Sequence, residues 1–306
     1  MNNKTIIGII MTAILTLGFL LTSCRPDPKD GIYHPKKHIT SIVTGSSNDD
    51  TISMEIWNWK GKSLQSIDHY RHHYYSHQDP IHLTGTEQYY YNDDNRLSKI
   101  VFNDIVTDFA YDGSNLSTVT IKDEGYTSLY KLGYEKSKLS TITLIDLKRC
   151  MKNDDLHASI RSLMTLPMEL SLEHFLERAE RHQKRGDHDT VVIHVEWKGD
   201  NVSKFWSVFE DERETVTFTY DNKTNPFCGF FHYCYIVDEF APETFRLGCK
   251  NNVLSITGTT EEDGSLVTES EVVNFEYTYK RDYPTSVSYP NNSPHSGIAI
   301  RRYVYE

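Results

Sequence analysis

Five histidines lie in one short polar segment, SIDHYRHHYYSHQDPIH, and they are the first residues here that could do chemistry. Imidazole is a good ligand for zinc and copper, so the segment is a candidate metal site formed by His69, His72, His73 and His77, with His82 nearby. On one strand His69, His73 and His77 would share a face, spaced by roughly 13 Å per four residues. One ion therefore requires a turn or neighbouring strands to gather them. The alternative is exposed strand histidines that bind no metal.

Motifs of catalysis and cofactor binding are missing from the sequence. It contains no GxSxG, no P-loop, no GxGxxG, no CxxC and no HExxH. We therefore expect no cofactor and name no catalytic residue. A hydrolase stays as the third and last function class, because catalytic triads are defined by geometry and not by sequence spacing.

Four cysteines besides Cys24 could form disulfides: Cys150, Cys228, Cys234 and Cys249. Cys228 and Cys234 lie six residues apart, which is roughly 20 Å on an extended strand. A disulfide needs Cα atoms about 5.5 Å apart, so these two cannot pair unless the chain bends at Gly229. We expect a cross-strand bridge from either of them to Cys249, and buried thiols are the alternative.

Aromatic side chains are a third candidate site, since the chain has 20 tyrosines, 13 phenylalanines and 4 tryptophans. Trp57, Trp59, Tyr89, Tyr90 and Tyr91 are the candidate ligand-binding residues, because rigid amphipathic rings bind glycans, peptides and proteins at low entropic cost. The alternative is that these rings pack the core on one face of the strands and shield the sheet on the other.

An internal repeat provides the elements that must position these residues. Each copy has a leading aromatic residue, a polar turn, and apolar residues about five and eight positions on. The copies start at Trp59, Tyr91, Tyr111, Tyr134, Trp197, Tyr220 (YDNKTNPF, degenerate) and Tyr279, and a further turn lies at Glu262-Asp263-Gly264. Polar turns between alternating flanks predict β-hairpins. The fold class is therefore mainly β: an antiparallel meander forming one large curved sheet or partly closed barrel.

One part of the chain, residues 148–187, does not follow the strand pattern. Between Ser171 and Arg185 the apolar residues recur at helical spacing, Ser171 suits an N-cap and Gly186 follows a basic last turn. We predict a short helical insertion that covers the sheet. A helix for a partner or a membrane surface is the alternative.

The amino terminus predicts export. Lys4 precedes an apolar stretch from Ile6 to Leu21 that is shorter than the roughly 20 residues of a spanning helix. Leu21-Thr22-Ser23-Cys24 follows, so we predict a signal peptide over residues 1–23, with an uncleaved anchor helix as the alternative. The Leu-Thr-Ser-Cys run resembles a bacterial lipobox, which implies acyl chains such as palmitate on Cys24. Several chains make a stable membrane anchor.

The residues after Cys24 predict the membrane, the domain boundaries and the excluded partners. Arg25 stands where an inner-membrane retention signal would have Asp, which favours the outer membrane. Residues 24–38 begin with a proline-rich polar stretch and predict a flexible tether, and residues 39–306 predict one β-rich domain. The net charge of −11 becomes one unit more negative without Lys4, so phosphate backbones would be repelled and nucleic acid is not an expected partner.

The tyrosine-led hairpins resemble the YD repeats of surface shell proteins. Together with the lipobox, YDNKTNPF and Tyr283-Pro284-Thr285 resemble a Bacteroidetes lipoprotein family, domain of unknown function 4595, described as porin-like in fold. This resemblance covers most of the mature chain and implies a large curved sheet on an exported lipoprotein. It brings no activity and no site residues. Lys99, Glu196 and Lys204 interrupt predicted strands, which is atypical of an apolar band facing lipid.

Two function classes follow from these predictions. The first is a non-catalytic binding or scaffold protein of the cell envelope, held on a membrane by its lipid and presenting aromatic rings to a glycan, a peptide or an envelope protein. The second is a carrier or chaperone that wraps a lipid or another apolar ligand. A polar and aromatic concave face favours the first class, and an aliphatic one favours the second. The sequence predicts no oligomeric state.

Overall fold

The computed structural model describes residues 32–33, 35–46, 51–72, 80–123, 126–145, 190–209, 212–230, 249–269, 272–291 and 297–306. These residues form 18 strands in one sheet and contain no helix. The predicted mainly β fold is confirmed. The predicted helical insertion at 148–187 lies outside the described residues. Within the described ranges, no helix is long and apolar enough to span a membrane.

The strand bounds are as follows: β1 Ile39–Gly45, β2 Ser53–Lys60, β3 Ser63–Arg71, β4 His82–Tyr91, β5 Leu97–Phe102, β6 Ile105–Asp112, β7 Asn115–Asp123, β8 Tyr126–Glu135, β9 Lys138–Ile145, β10 Thr190–Lys198, β11 Asn201–Phe209, β12 Glu212–Tyr220, β13 Val253–Glu262, β14 Ser265–Glu269, β15 Val273–Asn274, β16 Glu276–Lys280, β17 Tyr283–Asn291 and β18 Gly297–Tyr305.

The sheet is an antiparallel meander that curves until its two chain ends meet. From β1 to β13 every strand pairs with the next along the chain, and β13 also pairs with β14 and β15. β16 pairs with β17, β17 with β18, and β18 returns to pair with β1. The sheet is not closed, because among the described strands no ladder joins β16 to β13. The chain itself crosses this seam at Phe275, whose amide donates to the carbonyl of Leu254.

Local turn chemistry explains the hairpins. Lys136 and Ser137 between β8 and β9, and Asp263 and Gly264 between β13 and β14, all have positive φ, as a two-residue type I′ turn requires. This turn twists in the same sense as the strands that it joins, and so it fixes their register. The predicted hairpin at Tyr220 differs, since β12 and β13 pair but are joined by a long connection.

Strand alternation sorts the side chains onto two faces. Inward positions form one core cluster that runs around the whole sheet, with Ile42, Ile67, Val119, Ile193, Phe205 and Val287 among its members. Each of these lies in a row of cross-strand neighbours, which is how a pleated sheet stabilises itself. The interior at this level is therefore filled by the chain's own side chains.

The outer face carries cross-strand ion pairs. Lys122 lies 2.8 Å and Lys99 3.7 Å from Asp108, and Lys204 lies 2.9 Å from Glu196. Exposed pairs contribute little to stability, about 0–1 kcal/mol each. They show that the charged residues that interrupt the predicted strands point away from the core.

One end of the sheet is filled by two segments that are not strands. Phe227 and Phe230 from the β12–β13 connection are buried there, and the Phe230 ring lies 5.6 Å from Trp57 and 4.7 Å from Tyr33. The Tyr33 hydroxyl donates to the carbonyl of Pro226 at 2.7 Å. Tyr33, which the sequence analysis assigned to the flexible tether, therefore packs against the domain.

Candidate functional site

Four ionisable side chains meet inside the sheet, and we call Glu55, His69, Glu87 and Arg301 the inner charge cluster. Glu55 and His69 are direct cross-strand partners on β2 and β3, and Glu87 of β4 lies opposite the neighbouring inward position of β3. Arg301 of β18 reaches them across β1. All four occupy inward positions in phase with core residues, one row beyond the apolar row.

The first half of the cluster is an ion pair. The Arg301 guanidinium donates from Nη2 to Glu55 Oε1 at 3.0 Å, and Trp57 Nε1 donates to the other Glu55 oxygen at 3.0 Å. Arg301 is 1% exposed, so the pair lies where water screens it weakly. Both carboxylate oxygens are thus engaged by donors from two strands.

The second half is an imidazole and a carboxylate. His69 Nε2 lies 3.5 Å from Glu87 Oε1, and the Tyr89 hydroxyl donates to Glu87 Oε2. Burial, the largest effect, lowers the pKa of His69, but the adjacent Glu87 carboxylate and the charge of Glu55 together outweigh it. The pKa of His69 is therefore raised above its ordinary value, although the Arg71 charge opposes this.

The inner charge cluster is better placed to stabilise the fold than to act on a substrate. With His69 protonated, the cluster holds two positive and two negative groups and is neutral. His69 is 5% exposed and Glu87 is 0% exposed, so a substrate cannot reach the one imidazole–carboxylate pair of the cluster. Buried ion pairs of this kind are best attested as devices that fix one arrangement of the elements that carry them.

The candidate metal ligands are separated by the strands. His69 faces inward against Glu87, whereas His72 follows the end of β3 and its Nε2 lies 2.6 Å from the carbonyl of Thr51. His73 and His77 lie outside the described residues. In the described part of the chain, no three His, Cys, Asp or Glu side chains are grouped as metal ligands.

The candidate aromatic residues divide between the two faces. Trp57 and Tyr89 belong to the buried core, and Trp59 and Tyr91 are half-buried beside them. Tyr90 points the other way and is 46% exposed. The five rings therefore do not form one binding surface, and Tyr90 is the member that solvent reaches.

The leading aromatics of the repeat form a ladder that the sequence analysis did not predict. Four of the seven leading aromatics donate a side-chain hydrogen bond to the backbone carbonyl of the first apolar residue in the preceding copy. The pairs are Tyr91 to Leu64 at 2.8 Å, Tyr111 to Leu97 at 2.6 Å, Tyr134 to Leu116 at 2.9 Å and Trp197 to Leu139 at 2.7 Å. Burial raises the pKa of Tyr91 to about 12. These four bonds thus tie successive hairpins to one another at one end of the sheet.

At the next leading aromatic residue, Tyr220, the hydroxyl contacts the sulfur of Cys249 instead of a backbone carbonyl. The Cys249 sulfur lies 3.5 Å from the amide nitrogen of Val202 and 3.4 Å from the Tyr220 hydroxyl. Cys249 and Cys228 are not joined by a disulfide, and Cys234 lies outside the described residues. Burial raises the pKa of the Cys249 thiol, so it packs as a small apolar group.

Sequence reasoning missed Glu55, Glu87 and Arg301, although two of them leave a signal. In MEIWNW, Glu55 alternates in phase with Trp57, and in AIRRYVY, Arg301 alternates in phase with Tyr303. A charged residue at an inward position of an alternating strand must find a buried partner. The partner itself cannot be read from either strand alone.

A known structure that is similar to this chain shares its fold. No protein-family model matches the chain, and no curated protein matches it. Among solved structures, it is similar to a porin-like protein from Bacteroides uniformis, with a TM-score of 0.51 and 13% identity over 88% of this chain and 98% of that one. A porin-like protein from Bacteroides vulgatus aligns with a TM-score of 0.34 and 8% identity over 89% and 99% of the two chains. The likeness to the first concerns the fold alone.

Proposed function

We propose that this chain is a lipid-anchored, non-catalytic binding or scaffold protein of the bacterial cell envelope, and a member of the lipoprotein family that its lipobox and hairpins resemble. In this proposal Cys24 carries the acyl chains and the outer membrane is the destination. The fold shared with a porin-like protein from Bacteroides uniformis is compatible with an envelope location.

The burial of the inner charge cluster carries the non-catalytic part of the proposal. Acid–base catalysis needs a titratable group within hydrogen-bond reach of a substrate. Glu87 and Arg301 are at most 1% exposed and are engaged by Tyr89 and Glu55. Recognition of a glycan, a peptide or an envelope protein therefore falls to the outer face and the ends of the sheet.

The same interior argues against the carrier alternative. The inward face is mainly aliphatic, with Trp57 and Tyr89 among its aromatic members, but among the described residues these side chains pack against one another in one core cluster and leave no lined cavity for a cargo. At one end, Tyr33, Phe227 and Phe230 occupy the space that an apolar ligand would need. A carrier would instead keep that space for its cargo.

Two measurements test the proposal. Cells that express the full chain are labelled with a palmitate analogue: we expect label on the wild type and none on a Cys24→Ala variant, and an unlabelled wild type refutes the anchor. The purified protein is then screened against glycan and peptide panels, with Tyr90→Ala as the outer-face variant and solvent extraction of the purified protein to detect lipid. Stoichiometric co-purified lipid would refute the binding-protein proposal in favour of a carrier.

A further inference from the structure

We propose that one corner of the sheet is a docking surface for anionic lipid headgroups, and that it holds the domain against the membrane with a defined end facing the lipid. This inference rests on the lipid anchor proposed above for its orientation. The surface itself is argued from charge and from the path of the chain.

The hairpin turns of the repeat all lie at the same end of the sheet. In an antiparallel meander, alternate connections share an end, so the turns after β2, β4, β6, β8, β10, β12 and β16 lie together with the start of β1 and the end of β18. Contacts between them agree: Arg96 donates to the carbonyl of Gly113, and Lys223 lies 3.1 Å from Asp282. We call this the turn end.

The turn end is basic in a chain that is acidic as a whole. It carries 12 lysines and arginines (36, 37, 60, 62, 96, 136, 138, 198, 223, 250, 280, 281) and 8 carboxylates (93, 94, 112, 135, 200, 221, 282, 306). Among the described residues the turn end is therefore net positive. Residues 231–248, which lie outside the described residues, contain three carboxylates and one arginine, fewer negative charges than would reverse this sign. At the opposite end, the two turns that the structure describes in full, β5–β6 and β13–β14, are acidic, with Asp104, Glu261, Glu262 and Asp263.

The positive charge is densest where the amino-terminal segment reaches the domain. The β2–β3 turn carries Lys60 and Lys62, and the β16–β17 turn carries Lys280 and Arg281. Only β18 and β1 lie between these two hairpins, and Lys36 and Lys37 precede β1. We call these six residues the basic corner. Strands are about 4.8 Å apart, so the two turns lie within roughly 20 Å.

The chain's own contacts define this corner. His38 stacks on Trp59 with ring centroids 4.2 Å apart, and Lys37 lies over the Tyr283 ring at 4.7 Å. Lys36, Lys60, Lys62, Lys280 and Arg281 are exposed, and none has a carboxylate within ion-pair distance among the described residues. Two carboxylates also lie here, Asp282 beside Lys223 and Glu306 beside His38, so the corner presents an excess of positive charge to any surface that faces it.

In this proposal the lipid anchor on Cys24 holds the basic corner close to the membrane surface. Tyr33 is fixed in the core, and the nine residues back to Cys24 can span at most about 32 Å. The strands are roughly 30 Å long, so acidic groups at the opposite end lie several Debye lengths away at physiological salt and do not cancel the corner. A tethered partner needs only weak intrinsic affinity, since its effective concentration reaches the millimolar range.

The test uses the mature chain with Cys24→Ser, so that no acyl chain contributes. Flotation with vesicles of phosphatidylglycerol and phosphatidylcholine is compared with flotation on phosphatidylcholine alone, at about 0.1 M and about 1 M salt, where the Debye length falls from roughly 10 to 3 Å. We expect binding to the anionic vesicles alone, weakened by salt. Absence of binding at the lower salt overturns the proposal.

A charge-matched pair of variants locates the surface. Lys60→Gln, Lys62→Gln, Lys280→Gln and Arg281→Gln are combined in one protein, and Lys99→Gln, Lys122→Gln, Lys131→Gln and Lys204→Gln on the outer face in the control. Each basic residue near an anionic surface strengthens binding by roughly fivefold, so the corner variant should bind at least tenfold more weakly and the control should bind like the parent. Equal loss in both variants refutes a located surface. Palmitate labelling tests the anchor separately, so either result can fail without the other.

Discussion

Removal of the Arg301 guanidinium is the sharpest test of the inner charge cluster. In an Arg301→Met variant the long side chain is replaced by an uncharged one, and Glu55 loses the ion pair with Arg301. Two unit charges 3.0 Å apart attract by about 5 kcal/mol at an effective dielectric constant of about 20. Part of this is offset by desolvation, and breaking a buried pair from one side costs about 3–5 kcal/mol. We expect a loss of unfolding free energy in that range.

A double-mutant cycle separates the ion pair from simple packing. Glu55→Gln removes the charge but keeps an oxygen that accepts the Trp57 N–H. If the two charges are coupled, the double variant should lose about 2 kcal/mol less unfolding free energy than the sum of the losses in the two single variants. Urea unfolding followed by tryptophan fluorescence measures all four proteins.

The pH dependence provides a second check on the same reasoning. Without Arg301, the cluster retains two carboxylates and His69, so protonated His69 becomes its only positive group. The cost of Arg301→Met should therefore be smaller at about pH 5.5 than at about pH 8. A cost below about 1 kcal/mol, or a cycle that is additive, would refute the view that these charges are coupled.

Three further predictions concern single positions. The interactions that raise the pKa of His69 stabilise the fold below about pH 6.5, and this stabilisation is lost as the pH rises through the folded value. Wild-type stability should therefore fall between about pH 6 and 8. This slope should vanish in His69→Gln, and an unchanged slope contradicts the assignment. Gly85→Ala should lose about 1–3 kcal/mol because its Cβ would lie 2.6 Å from the Phe102 ring, whereas Gly61→Ala, in open space with φ of 61°, should lose about 1 kcal/mol; equal losses in urea unfolding would contradict this. Tyr111→Phe should lose about 1 kcal/mol through one link of the repeat's ladder, and an unchanged thermal midpoint would show that the link carries no net stability.

Much of the fold could be predicted because its rules are local. A polar turn with residues that accept positive φ, flanked by alternating positions, forms a hairpin whatever follows it, and the turn at Lys136 and Ser137 is an example. The outward charges at Lys99 and Lys204 were likewise visible as breaks in apolar alternation. The Tyr220 copy failed as a tight hairpin, since its turn sequence leads into a connection that packs Phe227 into the core.

The candidate sites were harder to predict, because alternation does not identify which face of the sheet becomes the interior. The same run of three tyrosines places Tyr89 in the core and Tyr90 in solvent. His69 was predicted as a metal ligand with its sequence neighbours, yet its nearest charged group is Glu87 on the next strand. Because side chains alternate along a strand, adjacent residues point to opposite faces of the sheet, but only the packed sheet determines which face is buried.

The sequence by itself determined most of the strands, their turns and the resemblance of residues 21–24 to a lipobox, since each of these is written within a few consecutive residues. The tertiary structure alone decided that Arg301 meets Glu55, 246 residues away, and that the Tyr33 hydroxyl reaches the carbonyl of Pro226. Such pairs depend on how many strands separate them and on how far the sheet curves before β18 returns to β1. Curvature accumulates from the twist of every strand pair, so no local pattern contains it.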